Sequence, residues 1–454
     1  MSDPVAVDQV TEFASTPLER YFARRAHGQG MVFEVRLALS GSLDTARLSD
    51  CWRATAAQHP RLCSKLAGAG RKRRWVPHRV PSFDLVASDQ LHAPEITEQG
   101  IADLANSNGC HLAVVQSGEN QWELVWRFHH ACCDGVGAGR VIADVLKRYA
   151  QSRRLVAQHE DARTLTDSPT STQSAVRPAS SDRKPVPASP RGIPDLGNFW
   201  LTIRGSNARL DRYRRSSSAL EEETSPYLAL ASHDSDRLRR RLREMRVPLN
   251  DFAVAMTSIV LARLTSKQAS RRRHVMIMNP VQMRSWADRR DSANHIGFAF
   301  IRRHHDELKD LGEVIASTHR QMNDVRKHGF AAELVDGLSL IEGVPGAIRL
   351  TEKLGWFTPT ASLTCLSGFR FGRRFGFDRS QGRRIGQARV DQLRILAPLQ
   401  AEGQLAVTIW DTGDEVALSF RHAAGNPVGQ IKQTWHDVLE RFLSSHVGGT
   451  AKTK

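Results

Sequence analysis

The chain has 454 residues, a formal net charge of +16 and 40% apolar residues, among them 9 Trp and 17 Phe. That length exceeds what one hydrophobic core usually supports, so two lobes are expected, and nothing in the composition is fibrous. No apolar run approaches the roughly 20 residues that cross a bilayer, and the opening MSDPVAVDQVTEFASTPLER lacks a basic start followed by an apolar stretch, which leads to the expectation of a cytoplasmic protein, with peripheral membrane contact left open.

Residues 31–39, MVFEVRLAL, read as a strand, and LDTARLSDCWRATAAQHPRL (43–62) shows helical recurrence through Leu43, Leu48, Cys51, Trp52, Thr55 and Ala56. Asp44 is placed to cap that helix and Pro60 to stop it. Strands follow near 73–77 and 111–117, and then WELVWRF (122–128) runs straight into His129 and His130. GAGRVIADVLKRYAQ (137–151) returns to helix, with Val141, Val145, Leu146 and Tyr149 on one face. Residues 159–195 are rich in Ser, Pro, Thr and charge and hold almost no large apolar groups, so they cannot offset their ordering entropy and read as a disordered linker. A first lobe over 1–158 and a second over 196–454 result.

Beyond the linker, residues 235–267 read as two helices broken at Pro248, the second strongly apolar. A strand is expected over 274–284, a second over 294–303 and a helix over 308–327. Further strands are expected near 361–367, 389–397, 404–410 and 415–421, and a terminal helix over about 427–445. Each half therefore mixes strands and helices, an α+β composition.

The charge comes mainly from arginine clusters at 71–74, 237–246 and 271–273. They favour anionic partners of several kinds, and solvated basic surfaces account for them equally well. There is no zinc-finger spacing and no aromatic-interleaved basic strand, so no specific nucleic-acid site is expected, although a basic nucleic-acid-binding protein remains an alternative on charge alone. The six cysteines are scattered and read as reduced.

The densest chemistry is HHACCDG, His129 to Gly135. Neighbouring strand residues point to opposite faces, so if the strand continues through the doublet, one imidazole faces a packed interior and the other can face a cleft. Asp134 could orient an imidazole or, if buried, pair with an arginine. Gly135 permits a close backbone approach. The same alternation splits His129, His130, Cys132, Cys133 and Asp134 between faces, and no second Cys/His pair lies at zinc spacing, so no metal site is expected. A nucleophilic role for Cys132 or Cys133 is set aside, as is His59 beside Pro60, a helix-end residue. His295, His304 and His305 read as surface residues, and nothing in their spacing singles out Ser362 or Ser367 as oxyanion donors.

HHACCDG matches the HHxxxDG signature of the CoA-dependent acyltransferase superfamily, which holds nonribosomal peptide synthetase condensation domains and polyketide-associated acyltransferases. STPLERYF (15–22) and SLDTARLSDCWRATAAQHPRLCSKL (42–66) resemble the family's opening segments. NPVQMR (279–284) with NHIGF (294–298), and the closing LAVTIWDTGDEVALSFRHAAG (405–425), resemble its second lobe. The plant-type DFGWG motif and an NVPGP-like segment are absent; SGFRFG (367–372) occupies roughly the region of the former without matching it.

The resemblance implies two chloramphenicol-acetyltransferase-like lobes, each a mixed sheet with helices, arranged in a V around a central tunnel. It implies His130 as general base within a catalytic set of His129, His130 and Asp134, with Arg284 as the partner of Asp134 and Gly135 leaving room for a pantetheine arm. The implied co-substrate is acyl-CoA or an acyl-phosphopantetheine on a carrier protein, the acceptor an alcohol or amine, with no permanently bound cofactor. A chain of this fold that has lost turnover and only binds a carrier protein is the alternative.

Overall fold

The structure, a computed structural model, describes residues 11–24, 31–87, 101–162, 207–208, 210, 225–265, 274–286, 288, 291–348, 350, 359–366, 383–398, 405–422 and 428–445. Strand β1 (Phe13–Ala14) leads into helix α1 (Pro17–Arg24). That helix starts where it does because Thr16 and Glu19 form a reciprocal capping box: Thr16 N donates to Glu19 Oε2 at 2.8 Å and Glu19 N to Thr16 Oγ1 at 3.2 Å. Pro17, whose missing N–H costs nothing at the first helical position, completes the signal.

Strand β2 (Val32–Ser40) and helix α2 (Thr45–Ala56) follow. Asp44 caps α2 as expected, accepting from Arg47 N at 3.0 Å. The helix stops before the expected end because Pro60 opens a short 3-10 turn, Pro60–Cys63. Strands β3 (Ser64–Ala67), β4 (Arg74–Pro77) and β5 (Phe83–Ala87) come next. After them lie β6 (Cys110–Gly118), β7 (Gln121–His129) and helix α3 (Gly135–Ala162). Helix α3 is longer than its amphipathic core predicts: residues 159–162, read as the start of the linker, are helical. The remainder of that segment lies outside the described residues.

The second half begins with β8 (Tyr227–Ala229), α4 (Ser232–Glu244) and α5 (Leu249–Leu264), broken at Pro248 as the sequence predicts. Helix α5 is apolar all round because it is buried all round, every residue from Asp251 to Leu261 being inaccessible. Then come β9 (His274–Gln282), β10 (Ile296–His304), α6 (Leu311–His328) and α7 (Glu333–Ile341). Strands β11 (Ala361–Leu366), β12 (Arg384–Ile385) and β13 (Ala388–Leu396) are followed by β14 (Leu405–Asp411), β15 (Val416–His422) and helix α8 (Val428–Ser444).

These strands form two six-stranded sheets and one small three-stranded sheet, β1-β4-β3. The first large sheet has the order β12-β13-β2-β7-β6-β5, the second β10-β9-β11-β14-β15-β8. The architecture is α+β, two mixed sheets with helices. The boundary at residue 196 does not divide the sheets cleanly, because β13, from the second half of the chain, pairs antiparallel with β2 from Arg389↔Ser40 to Leu396↔Glu34. The chain thus leaves the second sheet after β11, completes the first and returns at β14. Its reason is visible in the alternation of β13, where Val390, Leu393 and Ile395 are buried in the first core.

Close backbone packing and buried ion pairs also join the lobes. Arg20 of α1 holds Glu342, just past α7, through two contacts of 2.7 and 2.6 Å. Gly137, in the first turn of α3, packs so tightly on the second lobe that a Cβ there would lie 2.1 Å from Ser292 O. Replacing Gly137 with Ala forces that backbone apart; a loss of roughly 1–3 kcal/mol in unfolding free energy, read by urea denaturation, is the expected outcome.

Candidate active site

Between the two sheets lies a narrow cavity, partly open to solvent. Its walls come from both lobes: Phe33 and Val35 of β2, Gly135, Gly139 and Ile142 of α3, and Ile395 to Pro398 at the end of β13 on one side, Thr364 and Leu366 of β11 and Thr408 of β14 on the other. His130 lines it too. Small residues at 135 and 139 keep the first turns of α3 from filling the space, and a Cβ on Gly135 would meet Leu366 at 3.4 Å.

Strand β7 ends at His129, and His130 begins the turn toward α3. The two imidazoles have opposite surroundings, although the strand does not run through the doublet as the alternation argument required. His129 is fully buried, and its Nδ1 accepts a hydrogen bond from Ala131 N at 3.1 Å. Burial, with the neighbouring His130 adding to it, holds its pKa down to about 3. His129 is therefore packed behind the cavity wall, where it shapes the turn. His130 faces the cavity, with its ring between Phe22 (centroids 4.7 Å apart) and Phe33 (5.4 Å). Burial pulls its pKa below the usual histidine value against the charge of Asp134, so the ring is neutral at physiological pH. Its Nδ1 has no hydrogen-bond partner.

Asp134 is 1% exposed and does not hydrogen-bond to His130. Of the two roles open to it, the structure shows the arginine pair: Arg284 Nη1 donates to Oδ2 at 2.7 Å. His295 N donates to the same oxygen at 3.0 Å, and Gly137 N to Oδ1 at 2.7 Å. The last bond makes Asp134 the N-cap of α3, so one carboxylate starts the helix and ties it to the second lobe. Arg284 is anchored in turn by donating to Ala293 O. Beside it, Asn294 Nδ2 donates to the carbonyls of His130 at 2.7 Å and Ala131 at 3.1 Å, holding the turn that carries the imidazole.

Other residues singled out in the sequence are placed as follows. Cys132 and Cys133 are fully buried, and burial raises both thiols well above their ordinary range, which disfavours the thiolate a nucleophile needs. His59 sits at the N-terminal end of the short 3-10 turn, before Pro60, with no capping bond from its side chain. His295, His304 and His305 are partly exposed and bond Asp291, Asp306 N and Thr265. Gly297 packs against Ala331 O, a close-approach role. Ser362 is buried on β11, while Ser367 and the whole of 367–372 lie outside the described residues. Among the described residues no three His, Cys, Asp or Glu side chains gather in a way that could hold a metal ion, and no single helix is long and apolar enough to cross a membrane. Phe22, Phe33, Thr364 and Thr408 were not singled out by sequence; the signal available for Thr408 is a lone hydroxyl within the apolar run LAVTIW.

Two stability effects follow. Asp134→Asn preserves the cap but leaves Arg284 unpaired in the interior, and a loss of about 3–5 kcal/mol in chemical denaturation is expected. His129 binds a proton in the unfolded chain below its ordinary pKa of 6.5 but not in the folded one until about pH 3. Its contribution is therefore intact above pH 6.5 and falls by up to about 1.4 kcal/mol per pH unit between those limits. His129→Asn, which keeps an acceptor for Ala131 N, should flatten the acid side of a plot of urea midpoint against pH.

No family model and no curated protein sequence matches the chain. Its backbone is similar to the condensation domain from Monacolin K polyketide synthase, with TM-score 0.60 and 14% identity over 96% of this chain and 97% of that one. It is similar to a mutant starter condensation domain of rhizomide synthetase in complex with C8-CoA, with TM-score 0.63 and 14% identity over 96% and 95% of the two chains. The first condensation domain of the calcium-dependent antibiotic synthetase, in complex with a substrate analogue, aligns with TM-score 0.60 and 17% identity over 95% and 96%. The likeness is one of fold and runs the length of both lobes: this chain has the condensation-domain fold.

Proposed function

We propose that the protein is an acyltransferase of the CoA-dependent acyltransferase superfamily, moving an acyl group from a thioester to an alcohol or amine with His130 as general base. The carrying observation is a neutral imidazole on the wall of a cavity built from both lobes. In this reading the acceptor O–H or N–H gives its proton to His130 while its heteroatom attacks the thioester carbonyl. The C–S bond then breaks, and the thiolate takes the proton back from the imidazolium. Phe22 and Phe33 hold the ring, and Asp134 and Asn294 hold the turn that presents it, so the base is positioned without touching Asp134. His129 supports the turn from behind.

The donor is acyl-CoA or an acyl-phosphopantetheine on a carrier protein. Both are anionic, which gives the +16 charge a use. The complex of the related fold with C8-CoA supports a CoA thioester as the first donor to try. No permanently bound cofactor is required by this chemistry.

The test is thiol release from acyl-CoA in the presence of amines and alcohols. His130→Ala should abolish it, by at least the 10² to 10⁴ typical of a general base, while the circular dichroism spectrum stays native. Full turnover by that variant would remove the base role. Binding of acyl-CoA without turnover in the wild type would instead favour a binding protein. Cys132→Ser with Cys133→Ser should retain turnover. Because burial lowers the His130 pKa, the acid limb of kcat/KM should fall below pH 6.5.

A further inference from the structure

We propose that the acyl group taken by this cavity carries a polar atom on its chain, a hydroxyl or a comparable oxygen, and that Thr408 is the residue that selects for it. The inference rests on the acyltransferase reading for the identity of the ligand, and on the following geometry for the selection. In the second sheet Thr364, Thr408 and Ser419 lie in register across β11, β14 and β15, so their side chains leave the same face of the sheet. That face is turned to the first lobe, since the next residues along it, Leu366, Trp410 and Ala417, belong to the first lobe's core. The hydroxyl of Ser419 is used internally, donating to Ile395 O of β13.

Thr408 differs. It is 1% exposed, it lines the cavity, and its Oγ1 has no hydrogen-bond partner. Buried hydroxyls are normally paired, because an unpaired one loses its hydration for nothing in return. Valine would fill the same volume between Val407 and Ile409 without that cost. The rest of the wall is apolar apart from His130 and Thr364. A mostly apolar pocket with a few placed polar groups is the form taken by sites that recognise an amphipathic ligand. With His130 assigned to proton transfer, Thr364 and Thr408 are the polar groups left on the wall, and Thr408 is the one whose buried hydroxyl lacks a partner.

The test uses octanoyl-CoA, a positional series of hydroxyoctanoyl-CoA with the hydroxyl at carbons 2 to 8, and the matching octanamides, which carry no thioester. Affinities are measured by calorimetry on the full-length wild type, Thr408→Val and Thr408→Ser, each checked for native circular dichroism. The expected result is one hydroxyl position that binds about tenfold tighter than the plain chain, with that gain lost in Thr408→Val and largely kept in Thr408→Ser. The inference is overturned if no position beats the plain chain, or if the gain survives in Thr408→Val, as it would if an ordered water served the hydroxyl. A Thr408-dependent gain among the octanamides without any CoA thioester binding would sustain this selection and sink the acyl-transfer reading. Turnover through His130 that ignores both the hydroxyl and Thr408 would do the reverse.

Discussion

The contact between Asp134 and Arg284 is the constraint on which the site depends. Both side chains are almost completely buried, at 2% and 1% exposure, and neither is tolerable without the other. The carboxylate receives bonds from an arginine, from His295 N and from Gly137 N, so it fixes three things at once: the start of α3, the end of the β7 turn and the seam to the second lobe. His130 sits four residues before it in that same turn. A buried pair of this kind contributes little net stability compared with an apolar replacement, and its value lies in the single arrangement it permits.

Around that seam the polar groups divide by function. Asn294 gives its amide hydrogens to two carbonyls of the turn, and His129 accepts from Ala131 N, so the backbone that presents His130 is held from both sides. The imidazole of His130 is held by aromatic faces instead, which restrict its tilt while its Nδ1 carries no hydrogen bond. The general-base role proposed for His130 calls for that combination of fixed position and free lone pair.

Much of this was legible before the structure. Asp44 and Pro248 marked helix ends where they occur, Pro60 lies a few residues beyond the end of α2, and the two imidazoles differ in surroundings although β7 ends at His129 and does not run through the doublet. The Asp134–Arg284 pair came from the family resemblance, since the residue reading alone left the aspartate's partner open. The short elements α1, α7, β3 and β8 were missed because a few residues carry too little periodicity to count. The exchange of β13 was missed for a different reason: pattern shows which face of a strand is buried, not which sheet it joins. The cavity wall was invisible for the same reason, as its residues come from five separate stretches and meet only after the sheets have paired.

The pairing of β13 with β2 bears on how the molecule comes into being. Until residues 388–396 leave the ribosome, β2 presents a row of unsatisfied backbone groups along the border of an otherwise assembled sheet. The nascent first lobe is thus a template waiting for a strand from the far end of its own chain, and any neighbouring extended segment competes for that place.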